Sequence, residues 1–376
     1  MSQVGTQGGH TKPSRLRITV STTLPQGVAT AIVVSTDNDV VLQILDGAEP
    51  SVAALGADDC SIVRLAGDPM AVGAPVIRDT QAALARAELL VIVAETAAQR
   101  ALAADAASWL PNNALVLLAP GGVFGALEFA QTLREAGKRE VVVGETPGFM
   151  HLGVVDGDGR VRVTGVKRDL PVAFFPAECD GTAITLVKST FPELDLADNV
   201  LVTSLANTNV IVHPGAALLS AGLIETHGGG FGFYADAFSA GAGRIVDRID
   251  AERVALLDAL GLPTVSAIEW FRRFYVDQGM RGDTITEMLT TFPPFQASPA
   301  PDSLHHRYFR EDVPFGLVPM ASLARQLGRP AVVMEAVIAL CSIVCDEDFR
   351  ALGRTIESLG LGDLSARSLF DFVRRG

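Results

Sequence analysis

The sequence predicts an α/β protein in which a Rossmann-type, doubly wound parallel sheet domain is followed by an all-helical domain. Three observations carry this. Short segments such as "LLVIVA" and "ALVLLAP" are continuous apolar runs, as in strands buried on both faces of a parallel sheet. From residue 16 to about 188 these runs alternate with Ala-rich helical stretches, the order of a doubly wound fold. After "FPELDLADN" the apolar spacing becomes three to four and strand-like runs cease.

In chain order, "RITV", "VVLQIL", "LLVIVA", "ALVLLAP" and "REVVVGE" are the predicted strands. "VATAIVV", "RDTQAALARA", "TAAQRALAADAASWL" and "ALEFAQTLREAG" are the helices between them. "VVDGDGRVRVTGVKRDLPVAFFP" reads as a hairpin turned at Asp156-Gly157-Asp158-Gly159, extending the sheet antiparallel. Helices of the second half include "AERVALLDALGL", "AIEWFRRFY", "MASLARQLG" and "AVVMEAVIALCSIV". The expected division is a disordered tail over residues 1–15, a dinucleotide-binding-like domain over 16–195 and a helical domain over 196–376, with a ligand in the cleft between the two domains.

Composition excludes several classes. The chain has 376 residues, 43 acidic against 30 basic, for a net charge of −13, so a nucleic-acid partner has no electrostatic support. Hydrophobic residues make up 48% and the mean hydropathy is +0.32, as in a well-packed globular protein. No apolar run approaches the roughly 18 residues of a membrane span. The N-terminal "MSQVGTQGGHTKPS" lacks the apolar core of a signal peptide, so a cytoplasmic location with no membrane partner is expected. Cys341 and Cys345 sit four apart on an apolar helix with nothing nearby to complete a ligand set, so no metal site is expected.

The first strand and helix are joined by Thr22-Thr23-Leu24-Pro25-Gln26-Gly27, where a dinucleotide fold usually carries G-x-G-x-x-G. Only Gly27 remains, at the position that lets helix and strand pack closely. Asp46, nineteen residues after Gly27, stands where a ribose-binding acid is expected, although an Asp before Gly47 serves equally as a strand-end turn. In "SLANTNVIVHPGAALLSAGLIE", Pro214 suits the first turn of a helix and places His213 at its entrance, with Asn207 and Asn209 just before it. A helix N-terminus disfavours imidazolium, so a proton-cycling histidine there needs a carboxylate; spacing alone serves a structural histidine as well. In "HHRYFREDVPFGLVP", Arg307 and Asp312 flank a short piece expected to be extended before Val313-Pro314, and Pro319 opens the next helix.

These segments, with "FGFYADAF", "EW" and "GRTIESLGL", occur in the order and spacing of the helical domain of the octopine/nopaline (opine) dehydrogenase family, and "LAPGGVFGALEF" extends the resemblance into the first half. The resemblance implies an enzyme that condenses an amino-acid amine with a 2-oxo acid and reduces the imine with NADH or NADPH. It implies His213 as the acid/base and Asp312 as its carboxylate partner. Arg307 would contact cofactor or substrate anions, Glu145 would face the amino substrate, and Asn209 would line the substrate site. Thr22, Thr23, Gly27 and Asp46 would attend the cofactor, NAD or NADP. The chain departs from the family at the turn, where Leu24 and Pro25 are expected to obstruct the usual pyrophosphate pose, so that Thr22→Gly with Leu24→Gly should restore it. A redox-silent relative doing proton-transfer chemistry or ligand binding in the same cleft is the alternative. An exposed helical face could serve a homodimer.

Overall fold

The computed structural model describes residues 15–55, 62–63, 74–156, 160–179, 181–296 and 298–376. The expected tail, apart from Arg15, and the Gly157–Gly159 centre of the hairpin turn lie outside the described residues.

The first half holds β1 (Arg17–Thr22), α1 (Pro25–Val34), β2 (Asp39–Ile44), α2 (Pro50–Ala53), β3 (Ile62–Val63), β4 (Ala74–Ile77), α3 (Thr80–Leu84), β5 (Leu89–Val93), α4 (Gln99–Ala107), β6 (Leu115–Leu118), α5 (Gly125–Glu135) and β7 (Val142–Glu145). There follow β8 (His151–Val155), β9 (Val161–Val166), β10 (Leu170–Phe175), α6 (Gly181–Thr190) and β11 (Leu194–Leu196). Nine strands form one sheet in the order β11-β10-β7-β6-β5-β1-β2-β4-β3. From β7 through β4 the neighbours are parallel. The central strands β5 and β6 are buried throughout, which is why they read as unbroken apolar runs.

The hairpin departs from expectation. β8 and β9 pair antiparallel as a separate two-stranded sheet resting on α1, and it is β10 that joins the main sheet antiparallel, against β7. The physical reason is the pattern of burial: β9 alternates buried and exposed along "VRVTGV", whereas "LPVAFF" of β10 is buried along nearly its whole length and fits between two neighbours.

Helices make up the second half: α7 (Val200–Leu205), α8 (Asn209–Leu219), α9 (Ala221–His227), α10 (Ala240–Ala259), α11 (Ala267–Tyr275), α12 (Ile285–Thr291), α13 (Pro293–Gln296), α14 (Arg307–Arg310), α15 (Val318–Gln326), α16 (Val332–Val344), α17 (Phe349–Leu352) and α18 (Ala366–Arg375). The two halves are stitched together. Arg354, fully buried, donates to the Val123 carbonyl at 2.6 Å and to Glu128 at 2.7 Å, and α18 returns to β10 through Phe372 against Phe175.

The chain crosses over between β4 and β5, so β1 has β2 on one side and β5 on the other. The carboxyl ends of β1 and β5 flank this switch point, where doubly wound folds bind their ligands. Thr23 and Glu95 emerge there, and the Thr23 amide donates to the Val93 carbonyl at 3.3 Å.

Candidate active site between the two halves

α8 begins at Asn209, the Asn207 side chain accepting the Asn209 amide at 3.1 Å, and runs through Pro214. His213 is therefore inside the helix and not at its entrance. Pro214 at the sixth helical position costs the bond its N–H would make to the Val210 carbonyl, yet leaves the chain helical. Its role as a start signal fails because the preference of the preceding residue for extended backbone is a bias that packing overrides. Likewise residues 307–317 are helical and not extended: α14 is followed by a π-turn over Val313–Leu317, with Asp312 in right-handed helical backbone. Gly316 lets that turn lie against α8, since a Cβ there would collide with the Val210 side chain.

This packing brings His213 and Asp312 together across 99 residues of chain. His213 Nδ1 stands 2.8 Å from Asp312 Oδ2, with the residues 6% and 2% exposed. A carboxylate only accepts, so Nδ1 carries the proton and Nε2 is left with its lone pair. Nε2 is 3.0 Å from the Tyr234 hydroxyl, which donates to it. Tyr308 stacks on the imidazole with centroids 3.8 Å apart, and Phe233 meets it edge-on at 6.1 Å. The ring is fixed in its plane, its tautomer set by Asp312 and its working nitrogen turned to Tyr234. Burial pushes the Tyr234 hydroxyl well above the usual tyrosine range, and raises Tyr308 to about 12, so both are protonated donors at neutral pH. The two tyrosines lie in motifs that the sequence displays, "FGFYADAF" and "HHRYFRED", but nothing in spacing marks them as partners of His213.

Nε2 faces a pocket lined by Gly148, Lys167, Asn207, Thr208, Asn209, Val212 and Tyr234, with Trp270, Phe271, Tyr275 and Phe295 as an aromatic wall. Asn209 is among the residues of the pocket wall. Lys167 carries no motif and was not expected.

Glu145 does not face this pocket, contrary to expectation. It is wholly buried, with one oxygen accepting from the Thr203 and Ser204 hydroxyls at 2.8 and 2.7 Å and the other from the Ala126 amide at 2.8 Å. Desolvation raises its pKa, opposed by those bonds. It caps α5 and ties β7 to α7, a structural task that consumes the carboxylate.

Arg307 lies outside the His213 pocket, on the side of the crevice. Its Nε is 3.3 Å from Glu311, whose other oxygen accepts from the Thr96 hydroxyl at 2.8 Å just beyond β5. The guanidinium stands over the Phe149 ring at 5.5 Å; burial and then Glu95 raise the pKa of Glu49, and Arg307 opposes them. Asp46 sits exposed past the end of β2, whereas the Glu49 amide bonds the Thr23 carbonyl at 2.9 Å, and Arg307 acts on the Glu49 carboxylate as well as on Glu311.

At the turn, Thr22 is unavailable to a ligand. It is fully buried, its hydroxyl 2.7 Å from the Val93 carbonyl, and it accepts the Leu24 amide at 2.9 Å. Gly27 is required: a Cβ there would strike the Thr22 side chain and stand 2.9 Å from Val93 Cβ. Thr23 Oγ1 is buried without a partner, beside an α1 whose N-terminus has no side-chain cap. The unpaired Thr23 hydroxyl, beside a helix N-terminus on the switch-point crevice, fits a phosphate oxygen of a dinucleotide, whereas the Leu24 and Gly27 amides are bonded to Thr22 Oγ1 and the Leu24 carbonyl and Pro25 has none.

Fold and site together fit one class, an NAD(P)-dependent oxidoreductase: a Rossmann-type sheet with its switch-point crevice, and a buried His213–Asp312 pair on the helical half. Residues 196–345 match the family profile of the NAD/NADP octopine/nopaline dehydrogenase alpha-helical domain. An opine dehydrogenase of Arthrobacter sp. (strain 1C) is 36% identical over 291 residues, covering 77% of this chain and 80% of that protein. The protein ocs of Agrobacterium tumefaciens (strain Ach5) is 25% identical over 305 residues, covering 77% and 80%. Among solved structures, octopine dehydrogenase with NADH and L-arginine superposes with a TM-score of 0.72 at 16% identity, covering 94% of this chain and 98% of that one. Yersinopine dehydrogenase with NADP+ bound gives a TM-score of 0.64 at 14% identity, covering 96% and 99%. The chain belongs to the opine dehydrogenase family.

Proposed function

We propose that the protein joins the amine of an amino acid to a 2-oxo acid and reduces the resulting imine to a secondary amine, with NADH or NADPH as reductant. The observation that carries the reading is the buried Asp312–His213–Tyr234 chain opening on an enclosed pocket beside a dinucleotide crevice. When bound, the nicotinamide supplies hydride to the imine carbon. Thr23, the α1 N-terminus and Arg307 would hold its phosphates, with Gly27 keeping α1 close. Asp46, at the strand end, would take the ribose.

The chain's own residues move the protons. His213 Nε2 takes a proton from the substrate ammonium, freeing the amine to attack the keto carbon, and Asp312 stabilises the imidazolium that forms. The same proton then goes to the carbinolamine oxygen, which leaves as water. Tyr234, held protonated by burial, keeps a donor at Nε2 between turnovers and can turn to the departing oxygen. The aromatic wall excludes bulk water, which would hydrolyse the imine.

The redox-silent alternative is not favoured, because the similarity to a dehydrogenase runs through both halves of the chain. Among the described residues no helix is long and apolar enough to cross a membrane. Exposed Val332, Leu340 and Ile343 share one face of α16, which supports a homodimer through that helix. The deciding experiment is NAD(P)H oxidation by the purified protein against pairs of amino acids and 2-oxo acids, with the secondary amine product identified by mass. Oxidation that needs the oxo acid but is indifferent to the amine would replace this reading with a simple keto reductase.

A further inference from the structure

We infer that Lys167 grips a substrate carboxylate in the His213 pocket, and that the aromatic wall admits an amino acid with an apolar side chain in preference to a basic one. The inference rests on the reductive-condensation reading for its substrates but not for its site. Lys167 follows β9 and borders the pocket beside Gly148, where an added Cβ would stand 3.3 Å from its Nζ. Among the described residues its ammonium has no ion pair or hydrogen bond, and burial with the nearby Arg307 lowers its pKa to about 8. In a chain of net charge −13, a half-buried ammonium on a pocket wall without a counter-ion is unusual. A bound anion would supply the missing charge. A second donor points the same way: the Trp270 indole N–H, on the same pocket, is buried with no acceptor. Two unsatisfied donors lining one pocket suit a carboxylate as their ligand.

The rest of the lining sets the side chain. Among the described residues it contains no Asp or Glu, while Phe271, Tyr275, Phe295 and Tyr234 supply apolar surface, and burial holds the Tyr275 hydroxyl protonated, its pKa raised to about 12. A guanidinium or second ammonium would meet Lys167 with no carboxylate to receive it. An apolar side chain would bury on the rings.

The test uses the full chain. Leucine, phenylalanine and arginine are compared as amines, each with pyruvate; phenethylamine serves as the amine without a carboxylate. Lys167→Met should raise KM for leucine, or for pyruvate, by 30-fold or more while kcat changes less than threefold, and Lys167→Arg should recover most of it. A rise for leucine with no further penalty for phenethylamine assigns the grip to the amino acid; a rise for pyruvate alone assigns it to the oxo acid; KM unchanged for both overturns the inference. Leucine or phenylalanine should exceed arginine in kcat/KM by at least 100-fold, and the reverse order overturns the side-chain half. Binding is read independently of turnover by Trp270 fluorescence in a Trp109→Phe background, the chain having only these two tryptophans. Lys167-dependent quenching by leucine or pyruvate without NAD(P)H oxidation would overturn the proposed reaction and uphold the site. Quenching indifferent to Lys167→Met, or to Lys167→Gln should the first variant misfold, overturns the site.

Discussion

Asp312→Asn isolates the electrostatic part of catalysis. The substitution keeps the shape of the side chain and can keep a hydrogen bond to His213 Nδ1, so packing around the stacked Tyr308 ring is preserved. It removes the negative charge that steadies the imidazolium. With charge centres about 4 Å apart and an effective dielectric of about 20, that attraction is on the order of 4 kcal/mol. At about 1.36 kcal/mol per decade this is roughly a 10³-fold loss of kcat. The amide can also donate to Nδ1 and so select the wrong tautomer, which acts in the same direction. Turnover followed by nicotinamide absorbance, with thermal unfolding as a control on folding, checks this. A folded Asp312→Asn protein with kcat within threefold of the parent would refute the assignment of His213 as the proton carrier.

Four further outcomes are expected. Gly27→Ala should lose about 1–3 kcal/mol of stability by overpacking against Thr22 and Val93, read from denaturant melts, and should weaken nicotinamide binding with it. Glu145→Ala should cost several kcal/mol, at about 1–3 for each buried donor stranded among Ala126, Thr203 and Ser204, and should leave KM for the amine unchanged in whatever folds; a selective rise in that KM would restore its substrate-facing role. His306, whose pKa burial, then His213 and Arg307, push down to about 4, binds its proton less readily folded than unfolded, so its share of stability is present above its ordinary value of 6.5 and is lost as pH falls through about 4. His306→Asn should therefore flatten the fall in melting temperature across that window. Thr22→Gly with Leu24→Gly should lower both stability and cofactor affinity in calorimetry, and tighter binding would show the turn to be an obstruction after all.

The parallel strands were legible because burial on both faces leaves no polar residue to break the run, as in β5 and β6. β4 and β11 escaped notice because "APVI" and "LDL" are short pieces, β11 at the sheet edge and β4 next to the other edge, with a proline or an acid in them. The His213–Asp312 pair was legible only through the resemblance to a family, since nothing local links residues so far apart. Its local geometry is not legible at either end for one reason: Pro214 and Pro314 carry the signal of a helix start and of an extended piece, whereas a helix interior and a π-turn accommodate them here. Lys167 was invisible because its significance is an absence of partners, which only the folded arrangement reveals. Glu145 illustrates the converse. A carboxylate at the end of a strand near a cleft looks available until the hydroxyls of α7 are seen to occupy it.

The turn after β1 shows how a fingerprint can be replaced without losing the crevice it builds. A Gly-rich loop serves to turn tightly and to approach a ligand closely, and glycine is indispensable only where φ is positive or a Cβ would collide. From Thr22 to Gly27 no residue has positive φ, and Leu24 is in extended backbone at φ −126°. Conformation therefore does not demand glycine at 22 or 24. Collision demands it at 27, the position that keeps it. The tightness of the turn is supplied by the Thr22 side chain, which binds the Leu24 amide and the Val93 carbonyl and so joins the ends of β1 and β5 at the switch point. What a glycine at 22 would gain in approach it would forfeit in this clasp, so the turn is braced by a side chain, and the Thr23 hydroxyl is left unpaired at the crevice.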